Sequence, residues 1–184
     1  MNYYGAKELE RSFVTVRNNT ITIAEEIPEK DYGFKPAADV RSVAQTLVHI
    51  AVASQFQREI HGQRLTTLAN FDFPARFAKI QAEEAKSRSK AEIIALLRTE
   101  GDAFAKFVGG LSDEVLAEHV HFRPGMEPAS KTRFEMLLGV KEHEMHHRAQ
   151  LMVIERMLGI VPHLTRQMQE RMAAMMSQAS ATRA

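Results

Sequence analysis

Apolar residues recur along this chain at the three-to-four-residue spacing of amphipathic helices, and clusters of proline, glycine and small polar residues part them. Leu9, Phe13, Val16, Ile23 and Ile27 mark a first helix over about Lys7 to Ile27, weakened in its middle by Thr15, Thr20 and Thr22. Pro28, Gly33 and Pro36 enforce a loop, after which Ser42 and Gln45 form a capping-box pair opening a second helix to about His61, with Gly62 as its stop. Pro74 suits the first turn of a short helix to about Lys86. Ser89 and Glu92 open a third long helix that buries Ile93, Leu96, Leu97, Phe104 and Phe107 and ends at Gly109-Gly110. Leu111 to Ser130 contains Pro124, Gly125 and Pro128 and reads as a long connection, with one helical turn near Ser112–Leu116 and a brief extended pairing within Glu118–Arg123. Thr132 and Glu135 cap a fourth long helix to about Leu158, with Gly159 as its left-handed stop. Beyond Pro162, Met168, Met172, Met175 and Met176 line one face of a last helix, expected to pack on its own bundle or on a second copy of the chain.

No segment shows the sustained alternation of a half-buried strand. The pattern predicts an all-α fold: a four-helix bundle, up-and-down-like, with one long crossing connection and a C-terminal extra helix. At 184 residues this is one domain, 1–184, with its core over about 5–162 and a helical extension over about 163–180. A balance of 24 basic and 23 acidic side chains leaves no electrostatic footprint for nucleic acid or for an anionic membrane. No apolar run approaches the ~20 residues that span a bilayer. The start, Met1-Asn2-Tyr3-Tyr4-Gly5, lacks a signal-peptide pattern, so a cytoplasmic protein is expected. With no cysteine, any metal must be held by nitrogen or oxygen.

The chemistry concentrates in His143-Glu144-Met145-His146-His147-Arg148-Ala149-Gln150. His143 and His147, spaced i, i+4, leave one helical face a turn apart and can share a divalent ion at about 2.0–2.1 Å per nitrogen. They interrupt a stripe that is otherwise apolar: Leu137, Val140, Leu151, Ile154 and Leu158. Unpartnered imidazoles there would cost roughly 1–3 kcal/mol each, so the alternative to a metal is a pair hydrogen-bonded within the core. His49, on a stripe with Val52, Ala53, Phe56 and Ile60, is the candidate third ligand, because bundles build metal sites from facing helices. Three histidines leave positions open for water or substrate. Proton competition is expected to release the ion below about pH 6.

The same residues satisfy His-Glu-x-x-His, the zinc-protease signature, with Glu144 as general base. Against that reading, no strand-rich region precedes the helix, and Gln150 and Val153 stand where the longer signature has Gly and His. A di-iron reading needs a second Glu-x-x-His, which only Glu118 and His121 supply, in the proline-rich connection. Arg148 and Gln150 lie beside the site by sequence and are candidates for orienting a substrate or supporting the ligands. His146 points off the ligand face, and His61, His119, His121 and His163 are expected to be exposed.

Three segments together resemble the DinB/YfiT-like family: Tyr32-Gly33-Phe34-Lys35-Pro36, Ser42-Val43-Ala44-Gln45-Thr46-Leu47-Val48-His49-Ile50, and His143 to Leu151 with its His-x-x-x-His-Arg-x-Gln pattern. Ala149 departs from the family's usual glycine, and Phe34 stands near the place of a common tryptophan. The resemblance spans about residues 5 to 162. It implies a four-helix bundle with a three-histidine divalent metal site at His49, His143 and His147, often in a homodimer. Some members transfer low-molecular-weight thiols in a metal-dependent way.

The expected function is metal-dependent chemistry on a small molecule, possible substrates including a low-molecular-weight thiol. One divalent ion per chain (Zn, Ni, Fe or Co) would serve either thiol transfer or hydrolysis. The alternative is a non-catalytic metal-binding stress-response or ligand-binding protein, distinguished by a fourth ligand closing the site.

Overall fold

The helices that build the core begin where a side chain satisfies an amide at the helix start. In the computed structural model, which describes residues 4–181, α1 (Ala6–Glu26) opens with Glu8 accepting from the Gly5 amide at 3.1 Å. The threonines expected to weaken α1 do not interrupt it, because Thr15, Thr20 and Thr22 donate to the carbonyls of Arg11, Val16 and Asn18 one turn back. The reciprocal Ser42–Gln45 cap opens α2 (Val43–Val52), and α3 (Ser54–Gly62) continues it through Ala53, so the expected single helix is divided there. Next come α4 (Phe73–Glu84), α5 (Lys90–Gly109) behind the Ser89–Glu92 cap, and α6 (Asp113–Ala117). Then β1 (His119–His121) pairs antiparallel with β2 (Ser130–Thr132), Val120 opposite Lys131. Thr132 and Glu135 cap α7 (Arg133–Met157), and α8 (His163–Ala181) follows. Residues 1–3 and 182–184, counted in the single domain, lie outside the described residues.

The molecule is a four-helix bundle with a small hairpin. Its rods are α1, the α2–α3 pair, α5 and α7; α1 packs against α5 and α7, and α2 with α3 packs against the same two. The first two rods in sequence therefore occupy opposite corners. The 27–42 loop that joins them is pinned where it meets α2: the Tyr32 hydroxyl donates to the Ala24 carbonyl at 2.7 Å, and Tyr32 and Phe34 carbonyls accept from Ala44 and Val43. Apolar side chains of all four rods fill the interior, among them Leu9, Phe13, Leu47, Leu97, Phe104, Leu137 and Leu151.

A buried arginine crosses this apolar interior. Arg17 of α1 is 3% exposed and reaches all three other rods. Its Nε and Nη2 donate to the Glu144 carboxylate of α7 at 2.9–3.1 Å, its Nη1 to the Leu97 carbonyl of α5 at 2.7 Å, and its Nη2 to the Ile50 carbonyl of α2 at 3.3 Å. Room for it comes from Gly101, where a Cβ would stand 2.9 Å from Arg17 Cγ. Glu144 is therefore spent inside the bundle, which removes the general base from the zinc-protease reading.

Three further expectations change. His61 is buried, accepting on Nδ1 from Arg133 Nη1 at 3.2 Å and donating from Nε2 to Gln57 at 3.1 Å. His163 is buried too, against Asn19 of α1. The four methionines of α8, in contrast, are exposed on this chain, Met175 and Met176 at 69% and 70%, which sets aside burial in its own bundle and leaves packing on a second copy as the other half of that expectation. No helix among the described residues is long and apolar enough to cross a membrane.

Two outcomes follow from the buried charges. Glu144→Ala strands the Arg17 guanidinium and should cost about 3–5 kcal/mol in urea denaturation, whereas replacing both partners by well-packed apolar residues should recover most of that loss. A loss below ~1 kcal/mol for Glu144→Ala would show that water reaches Arg17. Glu155 of α7 is fully buried with both carboxylate oxygens unpartnered, and burial, reinforced by Glu26, pushes its carboxyl up to about 7. Between the ordinary value of 4.5 and about 7 the folded chain keeps a proton that the unfolded chain has lost, so this group lowers stability as pH rises through that window. The stability of Glu155→Gln relative to the unaltered protein should therefore climb from pH 4.5 to above pH 7; a flat difference would place an ion or a cation against Glu155.

Candidate metal centre

The period of α7 carries His143 and His147 to one face, one turn apart, and α2 presents His49 opposite them across the α2–α7 contact. His49 Nε2 stands 3.0 Å from His143 Nε2, and His147 Nε2 stands 3.2 Å from the same atom. Ligand nitrogens on a common ion at about 2.0–2.1 Å are separated by roughly 3.0–3.4 Å, so the three rings already have the spacing of a shared coordination sphere. Among the described residues, this is the group of metal-ligating side chains gathered closely enough to hold an ion.

Hydrogen bonds on the far edges of two rings settle what their near edges offer. His49 Nδ1 lies 2.8 Å from Glu84 Oε1; a carboxylate only accepts, so His49 carries its proton there and turns a bare lone pair inward on Nε2. His147 Nδ1 lies 2.8 Å from Gln150 Oε1 and is fixed in the same way, the Gln150 amide nitrogen being occupied by His146 at 3.2 Å. Two lone pairs thus converge on His143 Nε2, whose single proton, if present, can satisfy only one of them. An ion at the focus satisfies all three nitrogens, which is the fit of these residues to a divalent metal. Neutrality is favoured electrostatically as well. Burial, with the neighbouring His147, His49 and His146 and then Arg41, pushes His143 down to about 4. Burial likewise lowers His49, helped by Arg41 and opposed by Glu84, and it lowers His147 against the Gln150 hydrogen bond.

Glu84 was not legible in the sequence. It closes α4, 35 positions from His49, and it is held by Arg41 Nε at 2.8 Å, so a chain Arg41–Glu84–His49 runs from the loop into the site. Its place in the charged run Glu83-Glu84-Ala85-Lys86 carries no signal of that role. Of the other candidates, Gln150 supports His147 as described. His146 is exposed and reaches Gln150 instead of the focus. Arg148 is half-buried on the Glu144 side of α7, with its Nε unpartnered, and lines neither cavity at the site. Glu118, the second acid of the di-iron reading, pairs with Arg133 at 2.9 Å and with Arg64, remote from the triad.

Two cavities flank the imidazoles. The larger, of about 730 Å³, takes in His147 and Gln150 with Lys35, Arg41 and Glu84. The smaller, of about 400 Å³, has His49 and His143 in its wall and is otherwise lined mainly by apolar side chains. The three imidazoles therefore border open space on two sides.

Comparison with known proteins follows the same lines. Residues 12–151 match the family model described as the DinB superfamily. A DinB-like protein from Bacillus subtilis is 20% identical, with 83% of this chain and 92% of that one aligned at a TM-score of 0.61. YfiT from Bacillus subtilis, described as a probable metal-dependent hydrolase with an unusual four-helix bundle topology, is 14% identical over 87% of this chain and 91% of its own, at a TM-score of 0.66. A protein from Streptococcus pneumoniae is 17% identical over 85% and 93%, at 0.63. At these identities the likeness establishes the fold. No curated protein sequence matches the chain significantly.

The outer hydrogen bonds can be tested separately from the ligands. Glu84→Gln should weaken divalent-metal affinity about 10–100-fold by removing the carboxylate that orients His49. Competition titration against a chromogenic chelator would measure it, and unchanged affinity would reduce the Arg41–Glu84–His49 chain to a surface contact.

Proposed function

Because the chain belongs to the DinB superfamily and its three imidazoles share one focus, we propose that it is a metal-dependent enzyme that hydrolyses an ester or amide of a small molecule, with His49, His143 and His147 holding one divalent ion. The observation that carries this reading is the convergence of Nε2 lone pairs enforced by Glu84 and Gln150. When bound, the ion supplies Lewis acidity: it polarises a carbonyl and makes water acidic near neutral pH. The chain's own residues supply the rest. Glu84 and Gln150 fix ring orientation and tautomer, and the neighbouring carboxylate is thereby kept on the outer edge of His49, so that it does not close the focus as a fourth ligand. That arrangement favours catalysis over a purely structural ion. The description of YfiT as a probable metal-dependent hydrolase supports the same reaction class.

Thiol transfer is the second reading, and the larger cavity favours it. With Lys35, Arg41 and Gln150 in its wall, that cavity has room and polar partners for a low-molecular-weight thiol beside His147. Nitrogen ligands suit Zn, Ni, Co and Fe alike.

Protein purified without chelator or affinity tag should carry about one divalent ion per chain by elemental analysis, and His49→Ala and His147→Ala should each lose it. Absence of metal even after incubation with Zn or Ni would return the triad to the core as hydrogen-bonded histidines. Free imidazole titrates near ~6.5, but the triad is held lower, His143 at about 4, so dialysis at stepped pH should leave the ion bound at pH 6. Release should set in at lower pH, below the window that the ordinary imidazole value sets, because burial holds all three rings down. Loss already at pH 6 would contradict the electrostatics of the site.

A further inference from the structure

Gly139 sits inside α7, one turn before His143 and on the same face. Glycine is among the poorest helix formers, so its presence in a helix interior calls for a reason. For Gly101 the reason is close packing against Arg17; for Gly139 it is not, because a Cβ built there meets no atom within 4 Å. The space it leaves empty is the 400 Å³ cleft that continues from His49 and His143. Phe56 of α3, Phe73, Phe77 and Ile80 of α4, Phe122 after β1 and Val140 of α7 wall that cleft, with Lys131 and Glu135 as its charged members. Phe77 is 55% exposed, covered only in part by Phe73 at a ring separation of 6.3 Å, so the cleft keeps apolar surface in contact with solvent. Its volume lies in the range of small-molecule sites.

We infer that this cleft is the specificity pocket of the metal centre: the substrate carries an unbranched alkyl or aryl arm that passes over Gly139 into the phenylalanine-lined cavity while its reacting group lies at His49 and His143. The inference rests on the metal-dependent reading above and adds the substrate class to it. Small, fully polar substrates leave the cleft wet and gain nothing from it. An arm that displaces that water gains affinity with each carbon buried, up to about fourfold per methylene. Gly139 acts as a gate residue by its lack of a side chain: any larger residue occupies the passage between the ligands and the phenylalanines.

Calorimetric titration of the zinc-loaded protein with acetohydroxamate, butyrohydroxamate, hexanohydroxamate and benzohydroxamate tests this directly, because each presents the same chelating head and a different arm. The expected result is affinity that rises at least tenfold from acetohydroxamate to hexanohydroxamate. Gly139→Leu, which favours the helix and keeps the ion by elemental analysis, should abolish that rise. Phe77→Ala, on another helix, should reduce it and serves as the second variant. Affinity independent of arm length in the unaltered protein, with acetohydroxamate still binding, would overturn the specificity pocket and leave the metal reading intact. A rise that persists in Gly139→Leu would also overturn it. Failure of the protein to take up zinc, with no heat from any hydroxamate, would remove the metal reading and this inference with it.

Discussion

The buried contact between Arg17 and Glu144 is the constraint on which the geometry of this bundle turns. Apolar packing is non-directional, and a rotation of α7 about its axis would carry His143 and His147 off their focus. Arg17 removes that freedom. It holds a carboxylate of α7 with two nitrogens and anchors the same guanidinium to backbone carbonyls of α5 and α2, so the four rods share one set of directional bonds. Glu144 is the immediate neighbour of His143. Its commitment to the interior sends His143 and His147 outward toward α2, and so the same interaction that specifies the core also aims the two imidazoles.

This division of labour explains why His-Glu-x-x-His reads so differently here from its protease meaning. The two histidines share the face and the spacing that a ligand pair needs, since i, i+4 placement on a helix is a local property. The glutamate's role depends on what faces it, and here it faces an arginine from a helix 127 positions away in sequence. A motif confined to one turn of helix reports which groups share a face and says nothing about their partners.

The boundary between what could be read and what could not runs along the same line. The caps at Ser42, Ser89 and Thr132 pair residues three apart, and all three appear where expected. The bundle class followed from periodicity, and His49 was singled out because it interrupts an apolar stripe. Arg17 gave no such sign: it neighbours Val16 of the buried stripe, and a charged residue there is by default assigned to solvent. Glu84 and the burial of His61 and His163 were hidden for the same reason, each being defined by a contact between elements distant in sequence. The division of the second helix at Ala53 was not apparent from its composition either.

Helix α4 carries Glu84 and part of the phenylalanine wall, yet none of its own residues is fully buried. A helix with so little buried surface would open locally at a free-energy cost below that of unfolding the whole bundle. Its last residue is nonetheless bonded to His49, so the packed position of α4 and the tautomer of His49 are tied together. Anything that binds the packed state in preference to the open one is linked to α4 by mass action. An ion held at the triad would therefore also be a clasp on α4, and the order of this lightly held helix would report how full the triad is.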